Sequence, residues 1–199
     1  MTPAISELVN PVISYALDLK ERLDMGEQPD LEIEQRQLMD RLRSDGESRR
    51  LVDYSGDGSI FLGARYALTC WIDELFIVYS PWAEVWKERI LEVALYGSRD
   101  RAWKFWDQVE IALRRPNAPR ASTPPGLDAI ETYFLCVMLG FRGKYLENPG
   151  KVKEFVEEMR PQVARVGAWP SPRELGVATN VHPLSGRSAL ARAVSIYGG

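Results

Sequence analysis

A chain of 199 residues with 45% apolar content can bury an ordinary single-domain core, and nothing in its composition indicates disorder. Its formal charge of −3 is unevenly spread: residues 159–199 carry five arginines against Glu174 alone, a net +4, which leaves −7 on residues 1–158. An acidic body lacks the basic face that nucleic-acid phosphates require. Cys70 and Cys136 lie in apolar runs with no CxxC, and His182 is the single histidine, so the parts for a zinc site or a disulfide framework are missing. No cofactor is expected. Glu7, Asp18 and Lys20 interrupt the apolar positions near the start, so no signal peptide is expected there and the domain is expected on the cytosolic side.

In chain order, residues 4–24 put Ile5, Leu8, Val9, Val12, Ile13, Ala16, Leu17 and Leu23 near helical spacing, as one amphipathic helix or two short ones divided at Pro11. Met25-Gly26 ends it. Asp30 then caps a second helix through about Glu47, whose thin apolar stripe of Leu31, Ile33, Leu38 and Leu42 suits a peripheral position. The Ser55–Ser59 loop is glycine-rich but lacks the GxxxxGK[ST] pattern and a preceding strand, so Ser59 reads as an N-cap. From Ile60 to Val78 apolar residues occupy almost every direction around a helix, which must be buried on nearly all sides. A membrane span is disfavoured there, because Arg65, Asp73 and Glu74 would each cost roughly 2 to 3.5 kcal/mol near the bilayer centre.

After Ser80-Pro81, one helix carries Trp82, Val85, Trp86, Ile90, Leu91 and Leu95 as far as Gly97, and Ser98 caps another through Arg114 bearing Trp103, Phe105, Trp106, Val109 and Leu113. The proline-rich stretch 115–126 is a loop and the best internal boundary. Residues 127–140 form a second helix apolar all round, which must pack on the first. Phe141–Tyr145 makes a turn, residues 151–166 form a last helix with Pro161 as a possible kink, and 167–199 read as a Pro/Gly-containing basic tail. No segment alternates with period two, so the fold is all-α with six to eight helices. The helical domain spans 1–166, with sub-bundles roughly 1–114 and 126–166 sharing the core helices 60–78 and 127–140.

On the helical wheel of the central segment, Arg65, Thr69 and Asp73 stack as its only polar strip, while Glu74 points about 100° away among apolar residues. Asp73 is therefore expected to be reachable from a cleft. Glu74 is expected to point inward and to be paired with Arg142, Lys144, a tyrosine hydroxyl or a free helix N-terminus.

Three segments carry a family resemblance: Ala64-Arg65-Tyr66-Ala67-Leu68 running into Ile72-Asp73-Glu74; Pro81-Trp82 with Trp86; and Tyr133-Phe134-Leu135-Cys136 leading to Leu139-Gly140-Phe141-Arg142-Gly143-Lys144-Tyr145. In this combination the chain resembles the cytoplasmic domain of the TssL/DotU (IcmH) family over roughly residues 8–166. The resemblance implies two three-helix bundles packed into a hook-like single domain. It implies an inner-membrane component of a type VI secretion apparatus, or its type IVB counterpart, tail-anchored by a C-terminal transmembrane helix and joined to a TssM-like inner-membrane protein and a TssK-like baseplate component. Such proteins are scaffolds, not enzymes, and self-association through the transmembrane helix is a further expectation. Two departures stand out. The family's Gly-Gly doublet is reduced to Gly97, and no membrane span appears before Gly199, as expected of a chain that stops short of the anchor or of an atypical member. The basic tail fits the positive-inside rule and equally fits a solvated linker.

Candidate partner-binding residues are Asp73, Arg65, Arg142 and Lys144. Glu74, Gly140, Gly143 and Tyr145 are the structural motif. Arg142 and Lys144 fit either a partner's carboxylates or the dipole at the preceding helix C-terminus. The aromatic cluster Trp82, Trp86, Trp103, Phe105 and Trp106 reads better as core than as an interface. Two alternatives stand beside the scaffold: a soluble all-α adaptor of an unrelated assembly, and a carboxylate-dependent hydrolase using Asp73 and Glu74. Adjacent helical positions diverge and no nucleophile motif is present, which argues against the hydrolase.

Overall fold

The computed structural model describes residues 3–43, 54–55, 60–113 and 125–164. Eight α-helices occupy most of these: α1 (Pro3–Asp24), α2 (Leu31–Arg43), α3 (Ala64–Tyr79), α4 (Ala83–Glu88), α5 (Leu91–Tyr96), α6 (Arg101–Leu113), α7 (Pro125–Met138) and α8 (Pro149–Ala164). The all-α expectation holds, with one small addition. Strands β1 (Tyr54–Ser55) and β2 (Ile60–Phe61) pair antiparallel, Tyr54 opposite Phe61 and Ser55 opposite Ile60.

That hairpin shortens the central helix from its expected start. Ile60 and Phe61 are extended, and α3 begins after Gly63, whose ψ of −158° breaks the helical path. Ser59, expected as the cap, lies outside the described residues and four positions too early. Of the expected 115–126 loop, residues 115–124 lie outside them, and Pro125-Gly126 open α7 instead; the basic tail expected from 167 onward also lies outside them.

α3 is the axis of the fold. Helices α1, α2, α4, α5, α6 and α7 all pack on it, and α7 makes the broadest contact, as two helices with apolar residues all round require. α1 and α2 complete one three-helix group with α3; α6 and α7 complete another, and α8 lies against α7. Tyr66, Leu68, Trp71, Ile72 and Phe76 of α3 are buried, each contributing roughly 1.5 to 3 kcal/mol relative to exposure. Two aromatic nests flank the axis. Phe76 stacks on Trp86 at 4.4 Å between ring centroids, and Phe105 meets Phe141 at 3.9 Å and Tyr133 at 4.7 Å.

The remaining boundaries follow local chemistry. α1 runs through Pro11 without interruption. Asp30 Oδ1 accepts the Ile33 N–H at 3.0 Å and caps α2, as expected. Gly97 ends α5 in the left-handed conformation at φ 63°. The single helix expected between Trp82 and Leu95 is instead two, separated at Arg89-Ile90, for a reason that lies in α3.

Candidate functional site

Asp73 causes that break. Its carboxylate accepts the Leu91 N–H at 2.9 Å, the Glu92 N–H at 2.8 Å and the indole N–H of Trp86 at 2.8 Å. First-turn amides have no partner within their own helix, so a buried carboxylate aimed at them satisfies both sides and fixes where α5 starts. Asp73 is fully buried. The expectation of a cleft-facing, partner-accessible Asp73 is therefore corrected: Asp73 faces the α4–α5 corner, not solvent. Thr69, also fully buried, donates to the Arg65 carbonyl at 2.8 Å within the helix. Burial pushes the Asp73 carboxyl up to about 6, against the opposing pull of its hydrogen bonds and of the Arg101 charge.

Glu92, in the first turn of α5, repeats the device. Its Oε1 accepts the Tyr66 hydroxyl at 2.8 Å and its Oε2 accepts the Arg101 N–H at 3.1 Å at the start of α6. Glu92 is fully buried, and it was missed in the sequence. The available signal was an acidic residue in the first turn of a short helix, too common to single out.

Glu74 points the other way, as the wheel indicates, and of the partners considered it takes a helix N-terminus. Its Oε1 accepts the Arg142 N–H at 2.6 Å and its Oε2 the Gly143 N–H at 2.9 Å, capping the 3₁₀ turn Gly143–Tyr145. Burial raises its pKa, while the two amides pull it down. The chain reaches this point by a Schellman ending of α7: Phe141 N–H bonds the Cys136 carbonyl at 3.0 Å and Gly140 N–H the Val137 carbonyl at 3.1 Å, with Gly140 at φ 110° and Phe141 buried. Gly143 then brings the backbone against α6. A Cβ there would lie 2.6 Å from the Ala102 carbonyl oxygen, and its φ is +52°. The Trp106 indole N–H closes the contact on the Arg142 carbonyl at 2.9 Å, and Tyr145 meets the Trp106 ring edge-on at 4.9 Å.

The cations of this turn serve it. Arg142 Nη1 donates to the Val137 and Phe141 carbonyls, both at 2.9 Å, so this half-buried guanidinium caps the C-terminus of α7. Lys144 Nζ sits 3.6 Å from Asp107 Oδ1 and 5.3 Å from the centre of the Trp103 ring. Arg65 is half-buried, with its Nε buried and unpartnered. The four residues expected at a partner site are thus not gathered on one face. Asp73 faces α4 and α5, whereas Arg142 and Lys144 belong to the turn held by Glu74. Of the aromatic cluster, Trp86, Phe105 and Trp106 are core, Trp82 is half-buried, and Trp103 stands 64% exposed.

Among the described residues no helix is long and apolar enough to cross a membrane. Comparison with known proteins adds identity to this geometry. The cytoplasmic domain of TssL from Acinetobacter baumannii superposes with a TM-score of 0.61 at 21% identity, covering 82% of this chain and 98% of that one, a likeness of fold. No curated protein matches the chain. The family profile described as type VI secretion system protein DotU matches residues 4–197, nearly the whole length. The chain belongs to the DotU family of type VI secretion system proteins.

Proposed function

We propose that this chain is a scaffold of the type VI secretion membrane complex, placed at the cytoplasmic face of the inner membrane and linking a TssM-like protein to a TssK-like baseplate component. The observation that carries the reading is the family match over residues 4–197. The interior chemistry agrees with it. Asp73, Glu74 and Glu92 are each saturated by backbone or side-chain donors that set helix starts, which supports a framework role over acid–base catalysis. The excess of arginines after residue 159 suits a segment close to an anionic membrane face.

The test is co-purification of the full-length protein with the cytosolic domains of the TssM-like and TssK-like proteins, beside a secretion assay in a strain lacking the gene. Association with either domain, together with lost secretion, is expected. Normal secretion without the gene and no association with either domain would overturn the scaffold reading. A hydrolytic activity that disappears in Glu74→Gln, with the fold intact, would favour the enzyme instead.

A further inference from the structure

Trp103 is the largest apolar side chain left exposed among the described residues. It lies in the first turn of α6, where Phe105 and Trp106 take the core positions and Trp103 takes the outward one. Its surroundings are held from behind. The 3₁₀ turn is fixed to α6 by the Trp106 bond to Arg142 and by the approach of Gly143 to Ala102, and to α3 by the Glu74 cap, and Lys144 lies over the indole ring. A large, preorganised, exposed indole is the kind of residue on which binding energy concentrates.

The charges of this corner sort by exposure. Its cations turn inward: the Lys144 side chain is only 13% exposed beside Asp107, Lys104 lies over Tyr66, and Arg142 is spent on carbonyls. Its carboxylates turn outward. Asp107, one helical turn beyond Trp103, is 62% exposed; Asp100, three residues before it, is exposed, as is Glu147 next to the half-exposed Leu146. Arg99 is the exposed cation nearby in sequence. An approaching chain meets an indole rimmed mainly by carboxylates, the reverse of the basic surface that Arg142 and Lys144 suggest in the sequence.

We propose that Trp103, Asp100, Asp107 and Leu146 form a docking surface for an arginine-bearing basic segment of a partner protein in the secretion assembly. A guanidinium stacks on the exposed part of the indole, away from Lys144, and pairs with Asp107 Oδ2, leaving Oδ1 to Lys144, and an apolar neighbour packs on Leu146. The proposal rests on the scaffold reading above.

The experiment places the photo-crosslinking residue p-benzoyl-phenylalanine at position 103 of the full chain in cells that assemble the secretion complex, and maps the crosslinked peptide by mass spectrometry. A crosslink to an arginine-containing basic segment of a different protein is expected. A crosslink to residues 165–199 of the same chain, to a second copy or to an acidic segment, or no crosslink at all, overturns it. Trp103→Ala and Asp107→Asn should each weaken binding of that partner on the order of tenfold or more, with the melting temperature little changed. Binding at parental strength by both variants within an otherwise intact complex overturns the surface and leaves the scaffold reading standing. A chain that joins no secretion complex overturns both.

Discussion

Asp73 and Glu92 are consecutive links in one series of helix caps: Asp73 Oδ2 accepts the Glu92 N–H at 2.8 Å, and Glu92 Oε2 accepts the Arg101 N–H at 3.1 Å. Through them α3 sets the start of α5, and α5 sets the start of α6. Asp73→Ala would leave two buried amides and the Trp86 indole N–H without an acceptor. A loss of roughly 3 to 5 kcal/mol is expected, enough to lower the melting temperature by about 10 °C or more. Asp73→Lys should be worse, because it adds a buried cation at a positive helix end. Thermal melts followed by circular dichroism check both; a parental melt for either removes Asp73 from the frame.

Glu74→Ala should cost about 2 to 3 kcal/mol, since it strands the Arg142 and Gly143 amides rather than a charged partner. Glu74→Gln keeps one acceptor and should lose less than half of that. Urea unfolding of the two variants beside the parent measures the order, and equal losses would contradict the two-amide account.

The pH dependence has an unusual sign. The Asp73 carboxyl rises from 3.8 to about 6 on folding because burial penalises its charge. Between those values the folded state binds more protons than the unfolded chain, so acidification through this window favours folding through Asp73. The gain is fully present below the unfolded value and lost as pH rises through the folded one, on the order of 3 kcal/mol across the full shift. Glu74 moves in the same direction. Unfolding free energies of the parent and of Asp73→Asn, measured from pH 7 down to pH 4.5, should show the parent gaining on the variant as pH falls. A constant difference would contradict the buried-carboxyl account.

Gly140 and Gly143 separate backbone strain from crowding. Both have positive φ, but a Cβ at Gly140 meets open space, whereas at Gly143 it meets the Ala102 carbonyl at 2.6 Å. Gly140→Ala should cost about 1 kcal/mol, and Gly143→Ala clearly more, because the turn must also back away from α6. The tryptophan emission, to which Trp106 contributes, gives a second readout, changing only in the Gly143 variant. Equal costs and unchanged emission in both variants would show that the contact with Ala102 does not constrain the turn.

Helical periodicity made the architecture legible, because the all-round apolar character of residues 60–78 and 127–140 demands cover on nearly every side, and the two helices make the broadest contact with each other. The inward aim of Glu74 was legible for the same reason. Asp73 was misread because a wheel shows which residues share a stripe, not what lies opposite: the α4–α5 corner folds back over that stripe and supplies three donors. The same blindness hid the division between α4 and α5, since no propensity at Arg89 or Ile90 announces a carboxylate sixteen or seventeen residues upstream. Trp103 looked like core by its company with Phe105 and Trp106, and only the direction of α6 separates it from them.

Helices ordinarily open from both ends, and their first-turn amides trade protons with solvent fastest. In this protein the Leu91, Glu92 and Arg101 amides are held by carboxylates that are themselves buried. α5 and α6 should therefore unwind from their C-terminal ends alone, and these amides should exchange as slowly as those of mid-helix positions. A partner that seizes the first turn of α6 grips a part of the molecule that does not loosen before the whole domain does.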